Sequence, residues 1–198
     1  MIIDQEIRSE FGGVLIPPGT ELNRRLIRQI KDMDIKEIKV KSEKEVARKI
    51  NKKKEAKKKY QKNITEFSEV YKKAYYMKKV DFKTVRSLSD EAMEISDNLD
   101  LDDTLKMTRK IDNYTYSHSL HVGILANKFG KWLNLGRKRI CNLTTAALLH
   151  DIGKTKIKNE VLTKPELLTE EEFKEVKKHS KYGYQLLKES NRFSKEVM

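Results

Sequence analysis

Apolar positions recur along most of this chain at spacings of three and four, the period of an amphipathic helix rather than the alternation of a strand. The clearest stripes are Ile64, Phe67, Tyr71 and Ala74, then Phe82, Val85, Leu88, Ala92, Ile95 and Leu99. A third helix is predicted from about Asn113 to Phe129, with Leu120, Ile124 and Phe129 on its apolar face, and a fourth from Ile140 through Leu149. Gly153 reads as the C-terminal stop of that fourth helix. The spacing of the Ile64 stripe also fits a short helix-pairing seam, so a homodimer through helices in 64–99 is an expected assembly.

The first forty residues differ in texture. Two of the three prolines (Pro17, Pro18) and three of the eight glycines (Gly12, Gly13, Gly19) fall here. Val14-Leu15-Ile16 followed by Pro17-Pro18-Gly19 predicts a short strand ending in a turn. Leu22, Leu26, Ile30 and Met33 predict a helix capped by Asn23 or Thr20, and Ile35, Ile38 and Val40 a return strand. The fold class is therefore mainly α: a helical bundle preceded by a small N-terminal α/β unit. The expected division is 1–42 for that unit, 43–80 for a basic linking helical region, and 81–198 for the bundle.

Composition narrows the classes. The 198 residues carry 43 Lys and Arg against 30 Asp and Glu, a formal charge of +13, and no apolar run approaches the ~18 residues of a membrane span. Mean hydropathy is −0.74. With one cysteine, Cys141, no internal disulfide can form, and a cytoplasmic location is expected. The excess charge is concentrated between Lys41 and Tyr60, with ten Lys or Arg against three Glu. No aromatic interleaves these lysines before Tyr60, which favours a solvated helix over a nucleic-acid arm.

The four histidines, His118, His121, His150 and His179, all lie beyond residue 117. His150 is followed by Asp151 at the end of an apolar helix, where a carboxylate is costly unless a cation or hydrogen bonds compensate it. Neutral imidazoles with an anionic oxygen able to bridge two ions are the donors a divalent metal centre needs. Such a centre activates water and neutralises a phosphoryl oxygen. Lys154, three residues on, can hold a substrate phosphate as a point charge.

His150-Asp151-Ile152-Gly153-Lys154, then Lys164-Pro165, then Leu168-Thr169-Glu170-Glu171-Glu172, then His179 with Gly183, resemble the bacterial HD-GYP subgroup of HD-domain phosphohydrolases. Upstream, Asp112, Tyr114-Thr115-Tyr116 and His118-Ser119 resemble the helix that supplies the first histidine ligand there. The resemblance runs from about Leu101 to Met198. It implies an HD-domain helical bundle with two or three metals in the complete domain, commonly iron or manganese. It further implies hydrolysis of the bacterial messenger cyclic di-GMP to the linear dinucleotide or to GMP, a signal-transduction activity.

By position, His118, His150, Asp151 and His179 match metal ligands, with Asp151 the bridging carboxylate, and Lys154 matches a phosphate-contacting lysine. Asp151 and Lys154 are thus the catalytic candidates, whereas His121 matches no ligand and reads as a packing residue. Lys164-Pro165-Glu166 stands where the family usually has Lys-Pro-Gly. The paired His-His-Glu, Asp-Gly and Gly-Tyr-Pro that name the subgroup are expected beyond Met198. On this resemblance the chain is incomplete at its C-terminus and inactive by itself. The competing expectation is a non-catalytic binding or signalling module that works through its basic helices.

Overall fold

The computed structural model describes residues 1–108 and 114–198, with the side chains of Thr108, Tyr114 and Thr115 also left undescribed. The chain divides into two compact units, Met1–Lys54 and Glu55–Met198.

In the first unit, strands β1 (Ile2–Ile3) and β2 (Ile7–Arg8) precede β3 (Val14–Ile16), helix α1 (Arg24–Asp32), strand β4 (Val40–Lys41) and the start of α2 (Glu43–Met77). The predicted strand at Val14–Ile16 forms, and Gly19 closes its turn at φ +88°, a conformation costly for a side chain-bearing residue. Asn23 caps α1, its Oδ1 accepting from the Leu26 N–H at 2.8 Å. The return strand is shorter than the Ile35–Val40 pattern predicts. Only Val40–Lys41 pairs, antiparallel to Ile2–Ile3, while Ile35 and Ile38 pack instead on a small core of Ile3, Ile16 and Ile30. β2 and β3 form a separate antiparallel pair, so the unit holds two small ribbons rather than a β-α-β crossover.

The second unit is helical. After the remainder of α2 come α3 (Phe82–Asn98), α4 (Leu101–Thr108), α5 (Tyr114–Trp132), α6 (Arg137–Leu149), a 3-10 turn (Ile152–Lys156), α7 (Asn159–Leu162), α8 (Glu170–Lys177) and α9 (His179–Glu189). Helix breaks follow local chemistry. Asp81 caps α3 by accepting from the Lys83 N–H, and Thr169 with Glu172 forms a reciprocal capping box at α8. Both predicted stripes, 64–74 and 82–99, turn inward: Phe67, Ala74, Val85, Ala92 and Ile95 are fully buried in one core with Leu120, Ile124, Leu148 and Leu186.

The Ile64, Phe67, Tyr71 and Ala74 seam is thus occupied inside its own chain, and a second copy would need a different face. Helices α5 and α6 approach closely because Gly123 leaves room for Leu148; a Cβ there would sit 2.8 Å from that side chain. Among the described residues no helix is long and apolar enough to cross a membrane.

Candidate metal centre

The site is assembled at the junction of α6, the 3-10 turn and α9, with α5 alongside. Ile140, Cys141, Thr144, Thr145, Leu148 and Leu149 bury one face of α6. The helical backbone continues through His150, so Asp151 emerges at the helix end directly beneath the core. Gly153 does not stop this helix as the sequence pattern suggests; it lies within the 3-10 turn and is needed for a close approach. A Cβ on it would fall 1.8 Å from the His179 carbonyl oxygen and 2.4 Å from the Gly183 nitrogen. The bare backbone at 153 therefore lets α9 dock against the turn and brings His179 to Asp151.

Asp151 is 5% exposed and stands between two imidazoles. His150 Nε2 lies 3.4 Å from its Oδ2 and His179 Nε2 lies 3.7 Å from its Oδ1. Lys154 Nζ donates to Oδ2 at 2.7 Å. Burial opposes ionisation of Asp151, but the hydrogen bond from Lys154, and that from His150 in its protonated form, outweigh it and hold the carboxyl well below the usual range. The same carboxylate raises His150 through their hydrogen bond, against the opposing effect of burial.

The imidazole tautomers follow from the acceptors on their far sides. His150 Nδ1 is 2.8 Å from the Ala147 carbonyl and His179 Nδ1 is 2.7 Å from the Val176 carbonyl. A carbonyl oxygen only accepts, so both Nδ1 atoms carry hydrogen, and each neutral ring directs its Nε2 lone pair toward the carboxylate. Lone pairs converging on an anion are unfavourable unless a cation or proton lies between them. The donor chemistry therefore fits a divalent metal. His118 completes the group: one ligand atom from each of His118, His150 and Asp151 lies within 4.8 Å of the others. The His118 and His150 rings meet edge to face at 5.3 Å.

The other sequence candidates sort clearly. His121 turns away into the core, 3% exposed, with the Tyr60 hydroxyl 3.2 Å from its ring nitrogens. Burial pushes its pKa down to about 4. The folded state thus refuses a proton that the unfolded chain takes up near 6.5. The resulting stability is present above pH 6.5 and is lost as the pH falls toward 4, by at most about 3 kcal/mol. Denaturant unfolding at pH 7 and pH 4 should show a shallower pH dependence for His121→Gln than for the unmodified protein.

Lys164 pairs with Glu172 at 2.7 Å, tying the Lys164-Pro165 loop to the start of α8. Asp112 lies outside the described residues, as do the side chains of Tyr114 and Thr115. What the sequence reading missed is aromatic: Tyr75, Tyr76 and Tyr116 share an open pocket with Lys154. A repeated tyrosine beside lysines at the end of α2 was the available signal.

Residues 115–197 match the family model described as HD domain. Among characterised relatives, a cyclic di-GMP phosphodiesterase of Thermotoga maritima is 36% identical over 80 residues, 40% of this chain and 22% of that protein. A cyclic di-GMP phosphodiesterase of Pseudomonas aeruginosa is 36% identical over 87 residues, 44% of this chain and 21% of its own. A 3'3'-cGAMP-specific phosphodiesterase of Vibrio cholerae is 38% identical over 74 residues, 37% of this chain and 16% of its own. The chain spans about a fifth of the length of these relatives. No solved structure gives a significant match.

Proposed function

We propose that the helical unit contributes to a metal-dependent phosphodiesterase that opens a cyclic dinucleotide, with cyclic di-GMP the substrate. The observation that carries this reading is the Asp151 carboxylate flanked by two Nε2 lone pairs, one opposite each oxygen. In this reading His118, His150, Asp151 and His179 would hold the metal, with Asp151 the shared carboxylate. Iron or manganese suits such mixed nitrogen and carboxylate donors. When bound, the ions supply Lewis acidity and lower the pKa of a coordinated water.

The chain's own residues orient and neutralise. The Ala147 and Val176 carbonyls fix the ring tautomers, and the 3-10 turn holds Asp151 rigidly under the core. Lys154, one-third exposed with its ammonium on Asp151, stands where it can transfer its contact to a non-bridging phosphate oxygen. Water adds to phosphorus, the bond to the 3' oxygen breaks, and that oxygen takes the proton. The product is a linear dinucleotide with a terminal phosphate. A cytoplasmic location, and a homodimer through a face other than the buried Ile64, Phe67, Tyr71 and Ala74 seam, belong to the same reading.

The test is calorimetric titration with Mn(II). Histidines must be neutral to bind, so stoichiometric binding at pH 8 should be lost at pH 5. Hydrolysis of cyclic di-GMP by the full gene product should follow the same profile, read by chromatography of the linear dinucleotide. Equal Mn(II) affinity at both pH values overturns the ligand assignment. Metal binding without hydrolysis favours the signalling-module alternative.

A further inference from the structure

A pocket of about 590 Å³ shares Lys154 with the candidate metal centre. It is lined by Tyr71, Tyr75, Tyr76 and Tyr116 together with Lys72, Lys154 and Asn159. The volume falls within the range of small-molecule sites. The lining is unusual for a merely structural hollow. Tyr71 is 5% exposed and anchored through its hydroxyl, 3.3 Å from Ser119 Oγ, and Tyr116 meets it edge to face at 5.2 Å. These two form a fixed aromatic floor. Tyr75 and Tyr76, by contrast, are 54% and 78% exposed, meeting each other edge to face at 4.9 Å. Large aromatic faces are held in solvent at the mouth of a concave site.

The pocket and the metal centre share one residue. Lys154 lines the pocket and its Nζ donates to Asp151 at 2.7 Å. A ligand whose phosphate reached the Lys154 end would place its next planar group against the tyrosines. Lys72 adds a second cation to the lining, paired with Glu69 on the same helix at 2.7 Å. Aromatic faces with flanking cations are the combination that recognises a splayed nucleobase attached to a phosphate, because each base has a π face to stack and the cations track the backbone.

We propose that this pocket is a nucleobase subsite, and that Tyr75 and Tyr76 stack on an unpaired base of the nucleotide whose phosphate lies at Lys154. The inference rests on the phosphodiester reading for the placement of the phosphate, but the base subsite itself stands on the aromatic geometry. Stacking is tolerant of base identity, so the subsite favours any purine nucleotide over a base-free sugar phosphate.

The test uses the whole chain with Mn(II) and three probes: guanosine, 5'-GMP and ribose 5-phosphate, each followed by calorimetry or saturation-transfer NMR. The double variant Tyr75→Ala, Tyr76→Ala removes only exposed side chains, and circular dichroism and Mn(II) stoichiometry monitor its fold and metal centre. Guanosine should bind the unmodified chain and weaken about tenfold or more in the variant, and GMP should lose the same factor. Ribose 5-phosphate should be unaffected.

Equal guanosine affinity in the two proteins, or no guanosine binding to either, overturns the subsite. Failure of the phosphodiester reading looks different: GMP then binds no tighter than guanosine and ribose 5-phosphate does not bind, while the tyrosine dependence of guanosine persists and still supports the pocket.

Discussion

Gly153→Ala should unfold the junction between the 3-10 turn and α9 and cost the protein its metal site, whereas Gly183→Ala, across the same contact, should be tolerated. At 153 the added carbon meets backbone, 1.8 Å from the His179 carbonyl oxygen and 2.4 Å from the Gly183 nitrogen, and backbone in a packed helix cannot step aside. Relief requires α9 to move away by more than an ångström. That displacement separates His179 from Asp151 and uncovers Leu186 and Leu187, which α9 buries in the core.

Overpacking of this severity costs about 3 kcal/mol or more. At 183 the same carbon meets its neighbours at 3.5 to 3.8 Å, ordinary van der Waals contact. Replacing a glycine within α9 by alanine also lowers the entropy lost on folding, a gain of roughly 0.5–1 kcal/mol. The expected result is a strongly lowered midpoint for Gly153→Ala with loss of Mn(II) binding, and an unchanged or slightly raised midpoint for Gly183→Ala with binding intact. Parallel destabilisation of both variants would show that the close approach is not what Gly153 serves.

The same glycine shows where sequence reading reached its limit. A glycine three residues past His150 has the local signature of a helix stop, and nothing in its immediate neighbours distinguishes that role from a close approach. The residue that makes it necessary, His179, lies 26 positions away. Periodicity has a related limit. It identified the faces of Ile64 to Ala74 and Val85 to Leu99 that are buried, but a stripe carries no label for what covers it, and a seam that fits a partner subunit fits α5 and α6 as well.

In the N-terminal unit, pairing of Ile2–Ile3 with Val40–Lys41 depends on contacts across nearly the whole unit, which a local pattern does not contain. The candidate ligands were more legible. A carboxylate following an apolar helix, next to one imidazole and within a chain whose other histidines cluster nearby, is costly enough to demand a compensating cation. The ring tautomers were not legible, since they are set by the Ala147 and Val176 carbonyls, and every residue carries a carbonyl. The tyrosine pocket was hidden for a different reason: Tyr71 reads as an ordinary core position in its stripe and is 5% exposed, yet it lines the pocket.

Asp151→Ala and Asp151→Asn should separate the metal site from the fold that holds it. In both, the carboxylate oxygens or their charge are gone, and Mn(II) affinity should fall by at least about 100-fold, more than the 10–100-fold typical of losing an outer-shell partner. Their effects on stability differ. Alanine leaves the Lys154 ammonium and the Nε2 atoms of His150 and His179 without the acceptor around which they are arranged. The loss is destabilising, though less than for a fully buried pair, because Lys154 is one-third exposed and water reaches its ammonium. Asparagine fills the same volume and keeps an oxygen for Lys154, so the metal-free fold should survive.

The sign of the pH effect follows from Asp151 itself. Its carboxyl is held below the ordinary range, so its contribution to stability is complete above about pH 3.8 and is lost as the pH falls through the lower folded value. Asparagine abolishes this acid-side decline. Wherever His150 carries its second proton, a state its hydrogen bond to Asp151 favours, metal binding should release that proton, because a coordinating imidazole must be neutral. Calorimetry in buffers of different ionisation enthalpy measures the release directly. An asparagine variant that still binds Mn(II) at full affinity would remove Asp151 from the ligand set.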